Sequence, residues 1–144
     1  MSAQERTGKP APAWAAQGIA ALAATTAATL LYLIETRLFD LDLRARTMPG
    51  SDVVESIELH SVLLLAGGAS LLAWLAAAIL RRRRSGTVLG MTPRSLFVGG
   101  AILILLSSFY LLTWAESTEA VLGLLPLHLL TAAIVIPGMS RTIR

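Results

Sequence analysis

The residue best placed for chemistry is His128, which lies inside a long uncharged stretch nine residues after Glu119. A helical rise of about 1.5 Å per residue puts it roughly 13 Å beyond that acid, near the middle of a bilayer. An ionisable side chain at that depth is a candidate for proton transfer or substrate contact. The alternative is a neutral imidazole that hydrogen-bonds a neighbouring hydroxyl and holds two helices together.

Hydroxyl side chains lie at a similar depth in the three other long apolar stretches of the chain. Together with His128 they predict one polar layer across a helix bundle: Thr25, Thr26, Ser70, Ser107 and Ser108. Pro126 removes a backbone donor two residues before the histidine and so frees a carbonyl in the same helix. Because a small alanine-rich bundle packs shut, transport through this layer would require several copies of the chain.

Other signatures of catalysis are absent from the sequence. It contains no His-Glu-x-x-His motif, nucleophile elbow or phosphate loop. It has no cysteine, which excludes disulfides, thiol redox chemistry and thiolate metal sites. Paired acids occur only between the apolar stretches, at Asp40/Asp42, Glu55/Glu58 and Glu116/Glu119. We therefore predict that the protein is not an enzyme and uses no cofactor or metal.

A run of four arginines, Arg81, Arg82, Arg83 and Arg84, follows 22 residues that contain no acid, lysine or arginine. Placing even one arginine at the middle of a bilayer costs about 2.5 kcal/mol or more. The run therefore ends a membrane-spanning helix, and the positive-inside rule places it in the cytoplasm. Basic clusters beside a span also attract anionic lipids, so these four arginines are candidate lipid contacts.

Composition indicates an all-α integral membrane protein. The 144 residues are 55% hydrophobic and 15% charged, against about 45–50% and about 25% in soluble domains. We predict a four-transmembrane-helix bundle, with helices at 13–36, 57–80, 93–115 and 118–136. They form a single domain, 13–138, between cytoplasmic tails 1–12 and 139–144. The first stretch exceeds the roughly 7–15 apolar residues of a signal peptide, so we expect it to remain as a helix.

Local signals set the predicted helix ends. Thr92 and Pro93 favour a helix start, as N-cap and first helical residue. A hydroxyl in the Glu116–Glu119 turn is available to cap the fourth helix. Pro137-Gly138 predicts the end of that helix at Ile136.

The outer loop, 37–56, has a strand-like pattern. Residues 39–46 alternate between apolar and charged, Met48 to Asp52 has turn composition, and Val53 to Ile57 returns as a second strand. We predict a short β-hairpin across the outer helix ends. The alternatives are an irregular loop or an extension of a helix.

The charges orient the bundle. Nine basic residues lie in the two tails and the 81–94 loop, against three in the 35–58 and 115–119 segments. This bias predicts a multi-pass protein of the inner membrane with both termini cytoplasmic. Basic residues that flank spans also explain the high isoelectric point, so we expect no nucleic-acid partner.

Small residues mark the predicted contacts between helices. Lipid tails are as apolar as leucine, so helices associate through close packing of small residues and through polar groups. The predicted small faces are Ala16/Ala20/Ala24/Ala28, Ala69/Ala73/Ala77, Gly67-Gly68 and Gly99-Gly100.

Several short motifs resemble an uncharacterised family of small four-transmembrane-helix proteins of actinobacteria. They are Asp42-Leu43-Arg44 before a glycine-containing turn, Leu127-His128-Leu129-Leu130, and Val135-Ile136-Pro137-Gly138 followed by basic residues. The resemblance covers roughly residues 20–144 and implies a recurring histidine and Pro-Gly pair at these positions. That family, a domain of unknown function, has no established activity.

We therefore expect an integral membrane protein with a structural, accessory or interaction role. The alternative is a small oligomeric transporter or proton-linked permease subunit that uses the polar layer around His128. The expected partners are membrane lipids, together with a second copy of the chain or another membrane protein.

The predicted orientation can be tested by labelling, because the chain has no cysteine of its own. In intact cells, an impermeant thiol reagent should label Ser51→Cys and spare Gly86→Cys. Lysis should expose both sites. The reverse pattern in intact cells would overturn the orientation.

Overall fold

The computed structural model describes residues 12–48, 50–82 and 90–143. Within them, four long helices and two short strands are present. The elements are α1 (Ala13–Arg37), β1 (Arg44–Arg46), β2 (Val54–Ser56), α2 (Leu59–Arg82), α3 (Pro93–Leu111) and α4 (Thr118–Ser140). A 3₁₀ turn, Leu112–Trp114, continues α3. Several residues that the predictions name lie outside the described residues. They are residues 1–11 of the first tail, Pro49, Arg83, Arg84 and Arg144.

All four helices, α3 taken with its 3₁₀ turn, are long and apolar enough to cross a membrane. The prediction of an all-α four-helix membrane protein is therefore confirmed. The predicted hairpin is confirmed too: β1 and β2 pair antiparallel, with Ala45 opposite Glu55. We call the end of the bundle that carries these strands the hairpin end. The opposite end, where α2 finishes at Arg82, is the arginine end.

Helix α1 is the central element, because it packs extensively against both α2 and α4. Its buried residues follow each other at steps of three or four: Gln17, Ala20, Ala24, Ala28, Tyr32 and Glu35. Three of them belong to the alanine face predicted from the sequence. The fourth predicted residue, Ala16, is only half-buried. Small side chains along this stripe let the neighbouring backbones approach closely.

Helices α1 and α4 run antiparallel through two glycines of α4. A Cβ atom added at Gly138 would lie 2.7 Å from the Cβ of Ala20. One added at Gly123 would lie 3.5 Å from Oε2 of Glu35. The two glycines are fifteen residues apart, as are Ala20 and Glu35, so the two contacts share one register.

Two predicted small faces differ from the observed packing. In α2 the buried residues are Val62, Ser70 and Ala77, whereas Ala69 is exposed. Each residue turns a helix by about 100°, so Ala69 lies away from the face that carries Ser70. Gly99 and Gly100 of α3 are also exposed, and a Cβ at Gly100 would meet nothing within 4 Å.

The helix starts agree with their predicted caps. The Thr92 side chain accepts a hydrogen bond from the Ser95 amide at 3.2 Å, and Pro93 is the first residue of α3. The Ser117 side chain accepts one from the Ala120 amide at 3.1 Å. Helix α2 starts at Leu59 rather than at residue 57, because the Ile57 amide bonds the Leu43 carbonyl in the hairpin.

The predicted end of the fourth helix is wrong. Helix α4 continues through Pro137 and Gly138 to Ser140. Proline removes its own amide donor from the helix and its ring crowds the carbonyl four residues earlier, but surrounding packing can tolerate both effects in a membrane span. Gly138 adopts no left-handed conformation and instead provides the close contact with Ala20. The fourth helix therefore extends two residues past residue 138.

Two hydrophobic clusters hold the helices together. The cluster nearer the arginine end contains Ala24, Ala77, Phe97, Val135, Met139 and Ile143, and so joins all four helices. The cluster nearer the hairpin end contains Ala28, Tyr32, Leu43, Val62 and Leu127. Leu43 brings the segment before β1 into this second cluster, which secures the hairpin against the bundle.

The contact between α1 and α4 predicts the effect of Gly138→Ala. The added methyl group clashes with Ala20, so the free energy of unfolding in detergent should fall by about 1–3 kcal/mol. Thermal unfolding followed by circular dichroism measures this change.

Gly68→Ala is the matched control, because a Cβ there meets nothing within 4 Å. That variant should be as stable as the original chain or slightly more stable. Adding Ala20→Gly to Gly138→Ala should recover part of the loss. Equal stability of the two single variants would contradict the proposed role of the glycine.

Candidate functional site

The hydroxyls of the predicted polar layer bond mainly within their own helices. Thr25 donates to the Ala21 carbonyl at 3.0 Å, Ser107 to Leu103 at 2.9 Å, and Ser108 to Leu105 at 2.6 Å. Thr26 is exposed on the surface of α1. In the described part of the chain, no hydrogen bond joins two members of this layer. The structure therefore places these residues on separate helices without connecting them.

His128 is half-buried in α4. Its Nδ1 lies 2.8 Å from the Leu124 carbonyl oxygen, and a carbonyl only accepts, so Nδ1 carries the donated proton. This partner belongs to the same helix, whereas the structural alternative predicted a hydroxyl on a neighbouring one. Pro126 lies within α4 between these two residues. A functional role for His128 stays a prediction.

Ser70 is the member of the layer with an unsatisfied group. It is buried on α2, and its hydroxyl has no hydrogen-bond partner among the described residues. One turn earlier, a Cβ added at Gly67 would lie 3.8 Å from Cγ2 of Thr25. Helices α1 and α2 therefore approach closely beside this serine.

Sequence reasoning missed the buried acid Glu35, which is only 5% exposed. The sequence does not single it out, because it lies at the end of the first predicted helix, beside the charges of the outer loop. In the structure it is the last member of the buried stripe of α1, and its Oε2 has no hydrogen-bond partner within the described residues. The spacing of Ala24, Ala28, Tyr32 and Glu35 is the signal that could have revealed it.

The space around Glu35 is formed by a glycine and a leucine. Gly123 of α4 faces the carboxyl group, and a larger side chain there would also meet Leu43, whose Cδ2 would lie 2.5 Å from an added Cβ. Leu43 is only 3% exposed. The carboxyl group is thus enclosed by α1, α4 and the segment that leads into β1.

Hydrogen bonds fix that segment over the helix ends. The Leu41 amide donates to the Glu35 carbonyl at 3.0 Å, and the Tyr32 hydroxyl donates to the Ile57 carbonyl at 2.7 Å. On the other side, Ala45 forms a bridge with Ala115 near the start of α4. The hairpin is therefore a packed cover for Glu35 rather than a free loop.

The hairpin is shorter than the alternating pattern predicts, because β1 begins at Arg44. Asp40 has a φ of 52°, in the left-handed region. An extended strand cannot pass through that conformation, so the predicted strand from residue 39 is interrupted. Aspartate tolerates the left-handed region better than most residues.

The predicted lipid-binding arginines lie at the arginine end. Arg81 and Arg82 are exposed in the last turn of α2. Arg83 and Arg84 fall outside the described residues. For the residues searched, no group of three or more His, Asp or Glu side chains is arranged to hold a metal ion.

The architecture defines a four-helix membrane protein with a buried carboxyl group beneath a β-hairpin. The chain belongs to DUF6069, a family of unknown function that matches residues 8–144. This confirms the predicted membership of an uncharacterised family. Searches of curated proteins and of solved structures gave no match.

The environment of Glu35 predicts the effect of Glu35→Gln. Burying a carboxylate without a partner costs free energy, and burying a neutral amide of the same shape costs less. The free energy of unfolding in detergent at pH 8 should therefore rise by about 1–2 kcal/mol.

Glu55→Gln, which changes an exposed acid on β2, is the control and should alter stability little. Thermal unfolding of both variants measures the difference. A clear loss of stability in Glu35→Gln would show that the carboxylate has a stabilising partner.

Proposed function

We propose that the protein is a non-enzymatic accessory protein of the cytoplasmic membrane that binds another membrane helix through α3. In this proposal both termini lie in the cytoplasm and the hairpin end faces outward. Membrane lipids surround the bundle, and the partner helix belongs to a second copy or to another membrane protein. We also propose an actinobacterial source, from the motifs around His128 and Pro137.

The separation of charge along the bundle supports the orientation. Acids of the described residues gather at the hairpin end: Asp40, Asp42, Asp52, Glu55, Glu58, Glu116 and Glu119. Arginines at the opposite end are Arg81, Arg82, Arg94 and Arg141. Basic residues favour the cytoplasmic side of a membrane.

The observation that carries the interaction role is the position of α3. Phe97 is its one buried residue among nineteen. Gly99 and Gly100 lie on exposed surface, and a Cβ at Gly100 would meet nothing within 4 Å. Glycine lets a second backbone approach closely in a bilayer. Apart from the Met91 side chain, whose Cε would lie 4.0 Å from a Cβ at Gly99, no part of the described chain lies against these glycines, and we infer that a helix outside the chain does.

The hydrogen bonding inside the bundle favours a non-enzymatic role. His128 and the hydroxyls of Thr25, Ser107 and Ser108 each bond a carbonyl of their own helix. The donors of these groups are therefore engaged within their own helices. They lie on three different helices, and no hydrogen bond between the described residues joins them into the acid–base pair that catalysis requires.

A proton-linked transport subunit is the second candidate function, and Glu35 is the observation that favours it. A buried ionisable group in a membrane span is retained at a cost to stability, which is typical of a functional residue. This candidate moves the acting group from His128 to Glu35 at the hairpin end. The test is proton uptake by proteoliposomes that contain the protein. Uptake that is abolished by Glu35→Gln but unchanged by His128→Ala would favour the transport role over the accessory role.

Photo-crosslinking in native membranes tests the interaction through α3. A photoreactive amino acid at Ile104, which is 71% exposed, should give a discrete protein adduct. An adduct of twice the mass of the chain identifies a second copy, and another mass identifies a different membrane protein.

Leu22 of α1 and Leu72 of α2 are the matched controls. They are 71% and 68% exposed, and all three positions lie nine to eleven residues from the arginine end of their helices. The controls should react with lipid alone. Lipid labelling alone at Ile104, or equal protein adducts at all three positions, would contradict the proposal.

A further inference from the structure

A cavity of about 450 Å³ opens at the arginine end between the first turns of α1 and the last turns of α2. Its lining residues are Trp14, Gln17, Trp74, Ala78, Arg81 and Arg82. The four lining residues of α2 are spaced along the sequence so that they lie on one face of the helix. The two lining residues of α1 are three apart and also share a face. The cavity therefore follows from the packing of two helices and not from a loop.

Two buried polar atoms beside this cavity have no partner within the described chain. Gln17 is fully buried, and its Nε2 donates to the Thr142 hydroxyl at 2.7 Å, which leaves Oε1 without a donor. The indole Nε1 of Trp74 is buried without an acceptor. Buried polar groups are rarely left unpaired. A ligand hydroxyl both donates and accepts, so a hydroxyl-bearing ligand suits this donor and acceptor.

The remaining lining residues indicate the charge of the ligand. Arg81 and Arg82 are exposed where the cavity opens. Guanidinium groups bind phosphate oxygens through charge-assisted hydrogen bonds, often in pairs. The rings of Trp14 and Trp74 and the methyl group of Ala78 add apolar walls. Because the cavity lies at the ends of two membrane spans, a lipid can reach it from the bilayer.

We propose that this cavity binds the headgroup of an anionic phospholipid that carries free hydroxyl groups, such as phosphatidylglycerol. The phosphodiester lies against Arg81 and Arg82. Once these two side chains turn towards the cavity, the headgroup hydroxyls donate to Oε1 of Gln17 and accept from Nε1 of Trp74. This site deepens the proposed lipid contact of the arginine run, and it rests on the proposed membrane insertion of the bundle. It does not depend on the partner of α3.

The position of Trp74 supports a site rather than a general attraction of lipid to positive charge. Tryptophan at the ends of spans usually contacts the headgroup region, but Trp74 lies seven residues inside Arg81 and packs against the buried cluster near the arginine end. Trp74 lines the cavity, so a headgroup that enters the cavity can approach its indole ring at that depth. A surface attraction would involve the arginines alone.

Native mass spectrometry of the full chain in detergent, with lipids added one at a time, tests the proposal. Phosphatidylglycerol should bind at least about tenfold more tightly than zwitterionic phosphatidylcholine, because the choline cation of the latter is repelled by the two arginines and carries no hydroxyl group. It should also bind about fivefold more tightly than phosphatidylmethanol, which has the same charge but no hydroxyl. If the protein bound either comparison lipid as tightly as phosphatidylglycerol, the proposal would be overturned.

Variants separate the two halves of the site. Trp74→Phe keeps an aromatic ring and should remove much of the preference for phosphatidylglycerol over phosphatidylmethanol. Arg81→Gln with Arg82→Gln should weaken both anionic lipids by about tenfold. Thermal unfolding of each variant checks that it is folded. The comparison of lipids on the unmodified chain decides the question even if a variant does not fold.

Two controls match these variants. Trp114→Phe changes another buried indole N–H without a partner among the described residues, at the hairpin end, and should leave lipid preference unchanged. Arg94→Gln changes an exposed arginine at the same end of the bundle that does not line the cavity. An equal loss with Arg94→Gln would show that surface charge, not the cavity, binds the lipid.

The source of the phosphoester is tested by competition. Soluble sn-glycerol 3-phosphate should fail to displace phosphatidylglycerol at equal concentration, because it lacks the acyl chains that stay in the bilayer or micelle. Displacement at equal concentration would identify a soluble phosphoester as the ligand and would overturn the lipid proposal. A failed cross-link at α3 would leave this outcome unaffected, so the two proposals fail separately.

Discussion

The close approach of α1 and α4 is the contact on which the rest of the structure depends. Gly138 admits Ala20 near the arginine end, and Gly123 admits Glu35 and Leu43 near the hairpin end. In a bilayer there is little hydrophobic drive between apolar helices, so such packing of small residues is a main source of association. A shared register at both ends holds the two helices antiparallel. It also positions the buried stripe of α1 for its second neighbour, α2.

The two polar residues that end this stripe have different consequences. At the hairpin end, Glu35 is enclosed by Gly123 and Leu43, and one of its oxygens has no hydrogen-bond partner among the described residues. At the arginine end, Gln17 bonds Thr142, but its side-chain carbonyl oxygen has no partner in the described part of the chain, and the residue lines a cavity. Buried polar groups of this kind cost stability unless something completes their hydrogen bonds. They are therefore better candidates for function than the hydroxyls that bond their own helices.

The hairpin and α3 differ in how firmly they belong to the bundle. The hairpin is small, yet Leu43 and backbone bonds to α1 and to the start of α4 hold it in place. Helix α3 is long, yet Phe97 is its one buried residue. Its length and hydropathy suit a membrane span, but they do not require it to pack closely against the other helices of the chain. This contrast is why we assign the cover to the hairpin and the interaction to α3.

The sequence by itself determined the membrane class, the four spans, the cap at Thr92, a hydroxyl cap for α4 and the presence of a hairpin. These features depend on local composition and on neighbours a few residues away. Only the tertiary structure decided that Glu35 and Gln17 are buried, that Ala69 and Gly100 are exposed, and that α4 continues through Pro137. Burial depends on which face of a helix meets another helix. The nearly uniform apolarity of a membrane span hides that face, because lipid and protein both accept apolar side chains.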